Sequence, residues 1–154
     1  MVTESLEHFR KAVRLAPDDP DILRDLGITL FKLGQFDEAL KNLRRATELQ
    51  GNDLNSNLYL GKTLLAQGDM PNALRLFKKL EERRPDDPEI YYNLATVYGK
   101  TGGVGDSHYY FGLYFKKKGK VDSALFHFKA ALKEFSQNRP KAKEIKKEID
   151  SLIR

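Results

Sequence analysis

The chain of 154 residues contains no cysteine, no tryptophan and only three histidines. Without cysteine it forms neither disulfides nor thiolate zinc sites, although this absence does not fix the redox compartment. No apolar run approaches the roughly 18 residues that a membrane span requires, and the first five residues lack the basic and apolar pattern of a signal peptide. The scarcity of nucleophiles and metal ligands disfavours catalysis. We therefore predict no catalytic residue, no metal site and no cofactor.

The net charge of +5 comes mainly from the C-terminal third, where residues 106–154 carry 12 basic and 6 acidic side chains. Such an excess can attract nucleic acid or other acidic partners. Near residues 140–153, however, the lysines alternate with acids along a helical pattern whose apolar edge is formed by Ile145, Ile149 and Leu152. We interpret this segment as a solvated helix that covers the end of a core, and a nucleic-acid role is disfavoured.

Several positions recur at intervals of 34 residues. Asp18-Asp19-Pro20 recurs as Asp86-Asp87-Pro88, and apolar side chains recur at helical spacing between the turns. The other positions that share this interval are Leu26-Gly27, Leu60-Gly61 and Leu94-Ala95, then Gly34, Gly68 and Gly102, and then Ala39 and Ala73. Agreement at several positions over successive periods is far more specific than a single motif.

This pattern resembles the tetratricopeptide repeat (TPR) family, whose unit of 34 residues is a helix–turn–helix. The resemblance implies an all-α fold, a right-handed superhelix of stacked antiparallel helix pairs with about nine helices. The periodicity predicts these at 3–15, 20–33, 36–49, 54–67, 70–83, 88–101, 106–118, 121–135 and 140–153. As a single TPR domain over 1–154, the chain divides into a half repeat at 3–15, full repeats at 20–53 and 54–87, irregular repeats at 88–135 and a capping helix at 140–153.

Two irregularities interrupt the repeat. The helix at 3–15 lacks a preceding partner, so we expect either a fragment of a longer, bacterial protein or a homodimer that covers the bare face. Near 102–105 the register shifts by half a unit, because residues 108–119 have the pattern of another first helix. The glycines there predict a hinge, and a swapped hairpin is a second route to a homodimer.

The aromatic residues of the last third, such as Tyr109-Tyr110-Phe111-Gly112, give a narrower resemblance. They are similar to the final repeats in the C-terminal TPR region of bacterial BepA-like HExxH zinc metallopeptidases. That resemblance implies a non-catalytic region that recruits substrates or partners, in the periplasm. Without it, we expect a cytoplasmic protein. This sequence contains no HExxH.

The remaining motifs do not indicate a nucleotide site or a metal site. Gly61-Lys62-Thr63 resembles the end of a P-loop but lies in a helical pattern and lacks the earlier glycine. His8, His108 and His127 are far apart in sequence and have no second ligand at helical spacing, and we interpret His127 as a packing residue.

In the TPR family the first helices line a concave groove that binds peptides or partner proteins. The resemblance therefore implies a protein–protein interaction module with no small-molecule substrate. Phe31, Leu58 and Tyr92 are the expected apolar anchors, with Arg24 and Lys62 orienting acidic groups; the alternative is that a neighbouring helix covers these side chains. Glu89 stands where chaperone-binding members have a lysine, which disfavours a carboxylate-terminal ligand. The predicted groove residues are Arg24, Ile28, Phe31, Lys32, Asn55, Leu58, Lys62, Leu65, Tyr92 and Thr96.

Overall fold

The computed structural model describes residues 2–153, with side chains from Glu4 onward, and within that range every regular element is an α-helix. The all-α prediction is confirmed. The described helices are α1 (Val2–Leu15), α2 (Pro20–Lys32), α3 (Phe36–Leu49), α4 (Leu54–Ala66), α5 (Met70–Arg83), α6 (Pro88–Lys100), α7 (Val104–Lys117), α8 (Val121–Glu134) and α9 (Arg139–Leu152). No described helix is long and apolar enough to cross a membrane.

The chain forms two compact units, Met1–Leu76 and Phe77–Arg154, whose boundary falls within α5. Connections of three and four residues alternate along most of the chain. Loops this short make successive helices antiparallel. The pattern changes around α7, which has a connection of three residues on each side.

Local side chains explain where several helices begin. Asp19, Asp53 and Asp87 precede α2, α4 and α6, and each carboxylate accepts a hydrogen bond from a backbone N–H of the first turn. These aspartates satisfy donors that have no partner within the helix. Asp37 does not cap α3 in this way: the N-cap is Gln35, and the Asp37 carboxylate accepts a hydrogen bond from Gln67 Nε2 at 2.6 Å.

Replacing Asp19 by alanine is expected to lower the free energy of unfolding by about 1 kcal/mol, because the N–H groups of Asp21 and Ile22 lose their acceptor. Gln35→Ala is the matched control, since Gln35 is an N-cap without a side-chain hydrogen bond. Urea denaturation followed by circular dichroism measures both. Equal effects of the two substitutions would contradict the capping argument.

The core of the first unit lies where α1, α2 and α3 meet. Leu6, Leu26, Leu30, Ala39 and Leu43 form one buried cluster. Close approach of α2 to α3 requires a residue without a side chain, because a Cβ built on Gly27 would lie 2.6 Å from Leu43 Cγ. This contact explains the glycine at position 27.

In the second unit, α7 packs against both α6 and α8. Toward α6, Ser107 Oγ donates a hydrogen bond to the Ala95 carbonyl at 2.9 Å. Toward α8, the backbone at Gly112 lies directly against the ring of Phe128, which is fully buried. Small residues on two faces of α7 thus allow close packing on both sides. The helix begins at Val104, two residues earlier than predicted, directly after Gly102 at a φ of 84° and the N-cap Gly103.

Helix α9 packs against α8 and also bonds to α7. Ile145 is its fully buried residue. The hydroxyl of Tyr109 donates to the Glu144 carboxylate, and Lys116 Nζ pairs with Glu148 at 2.6 Å. Burial, followed by the hydrogen bond to Glu144, raises the pKa of Tyr109, which favours the neutral hydroxyl that donates this bond.

Candidate binding surfaces

The first unit carries an aromatic pair formed by α2 and α4. The rings of Phe31 and Tyr59 meet edge to face with centroids 5.5 Å apart, and Phe36 flanks Phe31 at 5.6 Å. The Lys62 ammonium lies 4.6 Å from the Tyr59 ring centroid and 5.4 Å from that of Phe31. Such cation–π contacts hold the lysine stem over the rings. Both rings are half-buried, so the pair presents an apolar surface beside a fixed positive charge.

Arg24 is surrounded by carboxylates rather than open to an acidic ligand. Its guanidinium pairs with Asp21 and Asp25, and Asp53 lies 3.8 Å away. Partial burial alone would lower the pKa of Arg24, but the hydrogen bonds and charges of these aspartates outweigh it and raise the pKa. A guanidinium engaged in this way ties the start of α2 to the start of α4, and it has little remaining capacity to orient acidic groups.

The other residues predicted in this unit differ in exposure. Ile28 packs against the buried cluster, as Phe31 does, and both are half-buried. Leu58 and Leu65 are half-buried on α4, whereas Lys32 and Asn55 are exposed. The structure therefore brings Phe31 and Lys62 together directly. Tyr59, which completes that group, was not among the predicted groove residues, because its contact with Phe31 arises from the packing of α2 against α4.

A larger depression of about 870 Å³ lies elsewhere in the first unit, along α3. It is lined by Val13, Leu23 and Leu40 with charged residues of both signs, and by none of the predicted groove residues. The residues that line it include no aromatic ring. The Phe31–Tyr59 pair, by contrast, combines apolar area with a positioned charge.

In the second unit, aromatic rings form a continuous series across α6, α7 and α8. Tyr92 is 48% exposed and contacts Phe111 and Tyr114 at centroid distances of 5.8 and 5.4 Å. Thr96 is half-buried and its hydroxyl donates to the Tyr92 carbonyl. The series, which we call the aromatic surface, consists of Tyr92, His108, Phe111, Tyr114, Phe115, Phe126 and His127.

One edge of the aromatic surface borders a depression of about 450 Å³. Tyr92 and Tyr114 line it together with Pro88, Glu89 and Lys118. An open site with two aromatic rings and charges of both signs suits a side chain with an apolar body and a polar end. The sequence predicted Tyr92 here but not Tyr114, because the half-unit shift hides which face of α7 adjoins α6.

The opposite edge contains a contact between two histidines that lie 19 residues apart. Nδ1 of His108 on α7 is 2.9 Å from Nδ1 of His127 on α8. Burial, followed by the nearby His108, lowers the pKa of His127. The sequence-based interpretation of His127 as a packing residue agrees with its stacking on Phe115. The contact with His108 was not predicted, because it arises from the packing of α7 against α8.

The tetratricopeptide repeat family matches residues 2–53, 24–88 and 58–102, which together span more than half of the chain. No curated protein matches the sequence. MamA 41-end from Desulfovibrio magneticus RS-1 has a similar structure, with 17% identity, a TM-score of 0.73, and coverage of 99% of this chain and 84% of that one.

Two further solved structures share the fold. TTC0263, a thermophilic TPR protein in Thermus thermophilus, has 20% identity and a TM-score of 0.59, covering 99% of this chain and 90% of that chain. PilW, described as a widely conserved type IV pilus biogenesis factor, has 23% identity and a TM-score of 0.67, covering 96% of this chain and 73% of that one. At these identities the likeness concerns the fold. With the family match over most of its length, the chain belongs to the tetratricopeptide repeat family.

Proposed function

We propose that the chain is a protein–protein interaction module that binds an extended or helical segment of a partner protein through apolar anchor residues. The observation that carries the proposal is the set of aromatic side chains left accessible on both units, above all Tyr92. Half-exposed aromatic rings beside fixed charges are typical of the centres of binding surfaces. Membership of the TPR family supports the same class of function.

In the first unit, the positions of the side chains indicate which groups a ligand would contact. Phe31 and Tyr59 offer the apolar area, and Lys62 offers the positive charge. Arg24 organises the helix ends through its three aspartates, so we assign it a structural role. A ligand for this site would insert an aliphatic or aromatic side chain against the rings and place a polar or acidic group near Lys62.

The second unit offers a separate anchor site at Tyr92 and Tyr114 beside the depression of about 450 Å³. Thr96 lies one turn further along α6, and its hydroxyl is already bonded within the helix, so its methyl group supplies the available contact. No contact described above favours recruitment for a metallopeptidase, homodimerisation or a bacterial origin. These three interpretations stay predictions.

Replacing Tyr92 by alanine is expected to weaken peptide binding at least about tenfold, the loss typical of an aromatic anchor. Ligands would be selected from a displayed library of random 12-residue peptides, and their affinities measured by fluorescence anisotropy. Phe31→Leu tests the first unit in the same way while keeping an apolar side chain in place. Circular dichroism establishes that each variant is folded.

The matched control is Leu15→Ala, which shortens an exposed apolar side chain on α1 that belongs to neither anchor site. It should leave affinity unchanged. Selected peptides whose affinities are insensitive to both Tyr92→Ala and Phe31→Leu would contradict the proposed surfaces. Failure of the folded chain to retain any peptide would count against the function itself.

A further inference from the structure

The contact between His108 and His127 has the dimensions of a pair of metal ligands. Imidazole nitrogens bind a first-row transition-metal ion at about 2.0–2.1 Å. When the N–metal–N angle lies between the square-planar and tetrahedral values, the two nitrogens are roughly 2.8–3.4 Å apart. The two Nδ1 atoms are separated by 2.9 Å. The imidazoles can therefore share one ion through adjustment of their side-chain torsions, without movement of α7 or α8.

The surroundings hold both rings in place. Phe115 stacks on His127 with an interplanar angle of 16° and a centroid distance of 5.3 Å, and Phe111 contacts the same ring at 5.3 Å. Phe126 packs edge to face against both histidines. The helices that carry the rings are closely packed where Gly112 meets Phe128. These contacts restrict both rings to a narrow range of torsions, so little freedom is lost when small adjustments let them bind an ion.

We propose that His108 and His127 form a binding site for a divalent first-row transition-metal ion, with Cu²⁺ bound most tightly. Imidazole nitrogens suit Cu²⁺, Ni²⁺ and Zn²⁺, and Cu²⁺ is the strongest of these by the general order of affinities. Within the described residues no group of three or more metal-ligating side chains is present, so solvent or a partner's side chain completes the coordination.

Binding requires a change of tautomer but no net loss of a proton. In the hydrogen-bonded pair, one neutral ring donates its Nδ1–H and the other accepts through its Nδ1 lone pair. When the ion binds, the donor ring carries its proton on Nε2 instead, and both Nδ1 lone pairs bind the ion. The metal thus replaces one hydrogen bond with two coordinate bonds, and the pair's charge comes from the ion alone.

The test is a Cu²⁺ titration of the full, tag-free chain at neutral pH by isothermal titration calorimetry. We expect one site per chain, with weaker binding of Ni²⁺ and Zn²⁺. Electron paramagnetic resonance should show two coordinated imidazole nitrogens. His127→Phe keeps an aromatic ring against Phe115. This substitution and His108→Gln should each weaken Cu²⁺ binding at least about tenfold, because the loss of a metal ligand weakens binding at least as much as the loss of a residue that orients a ligand.

His8→Gln is the matched control, since the chain's third histidine lies on α1 in the other unit. It should leave the copper site unchanged. If His108→Gln or His127→Phe is folded by circular dichroism and binds Cu²⁺ as tightly as the parent chain, the two histidines form only a hydrogen bond and the proposal is overturned. An equal loss of affinity in His8→Gln would overturn it as well.

Discussion

Leucine in place of Gly112 is expected to cost about 3 kcal/mol of stability, at the upper end of the range for overpacking a core. Even a Cβ at this position would lie 2.5 Å from two ring carbons of Phe128. Phe128 is fully buried, and in a closely packed core its ring has little room to move. The added side chain must therefore separate α7 from α8, which also disturbs the aromatic surface.

Urea denaturation monitored by circular dichroism would measure the loss. Gly51→Ala is the control, because a Cβ there meets only a carbonyl oxygen at 3.4 Å, an ordinary contact distance. Phe128→Ala introduced together with Gly112→Leu should restore part of the stability, since the two residues occupy one space. A Gly112→Leu chain as stable as the parent would show that the helices do not pack as described.

Shortening Leu30 to alanine is expected to lower the free energy of unfolding of the first unit by about 2–5 kcal/mol. Leu30 is fully buried in the cluster with Leu26 and Leu43. The substitution removes apolar contacts and leaves a cavity that closely packed helices cannot fill. Because Phe31 follows Leu30 on α2 and packs against the same cluster, peptide binding through the Phe31–Tyr59 pair should weaken too.

Leu15→Ala is again the matched control, since that leucine is 81% exposed, and its effect should stay within about 0.5 kcal/mol. Hydrogen exchange of the α2 amides reports directly on the unit that carries the substitution. If Leu30→Ala changes stability no more than Leu15→Ala does, Leu30 is not part of a packed core. The interpretation of the periodic leucines as core residues would then be wrong.

The helices and their family were predictable because their signals are local and repeated. Aspartate before Pro20 and Pro88 and glycine at 34 and 102 mark helix starts and ends within a few residues. Each observed helix boundary lies close to the predicted one. An acidic residue near a helix start is a less specific signal, because Asp37 lies in the first turn of α3 and suits the helix dipole without serving as the N-cap.

The proposed binding surfaces were predictable only in part. The register of the repeat included Phe31, Lys62 and Tyr92 among the expected contact positions, but it gave no means of knowing that three aspartates surround Arg24. It also missed Tyr59, because the register specifies which positions face outward in the family and not which rings meet. Contacts of this kind depend on side-chain rotamers and on residues distant in sequence.

Sequence alone determined that the chain is helical, that it belongs to the tetratricopeptide repeats and where its turns lie, since turn residues and apolar spacing act over a few residues and recur every 34. The tertiary structure decided which polar and aromatic groups meet. His108 and His127 lie within 2.9 Å of each other where α7 and α8 pack closely, and Gly112 permits that approach toward Phe128. That distance depends on how two helices pack, and no spacing along the chain encodes it.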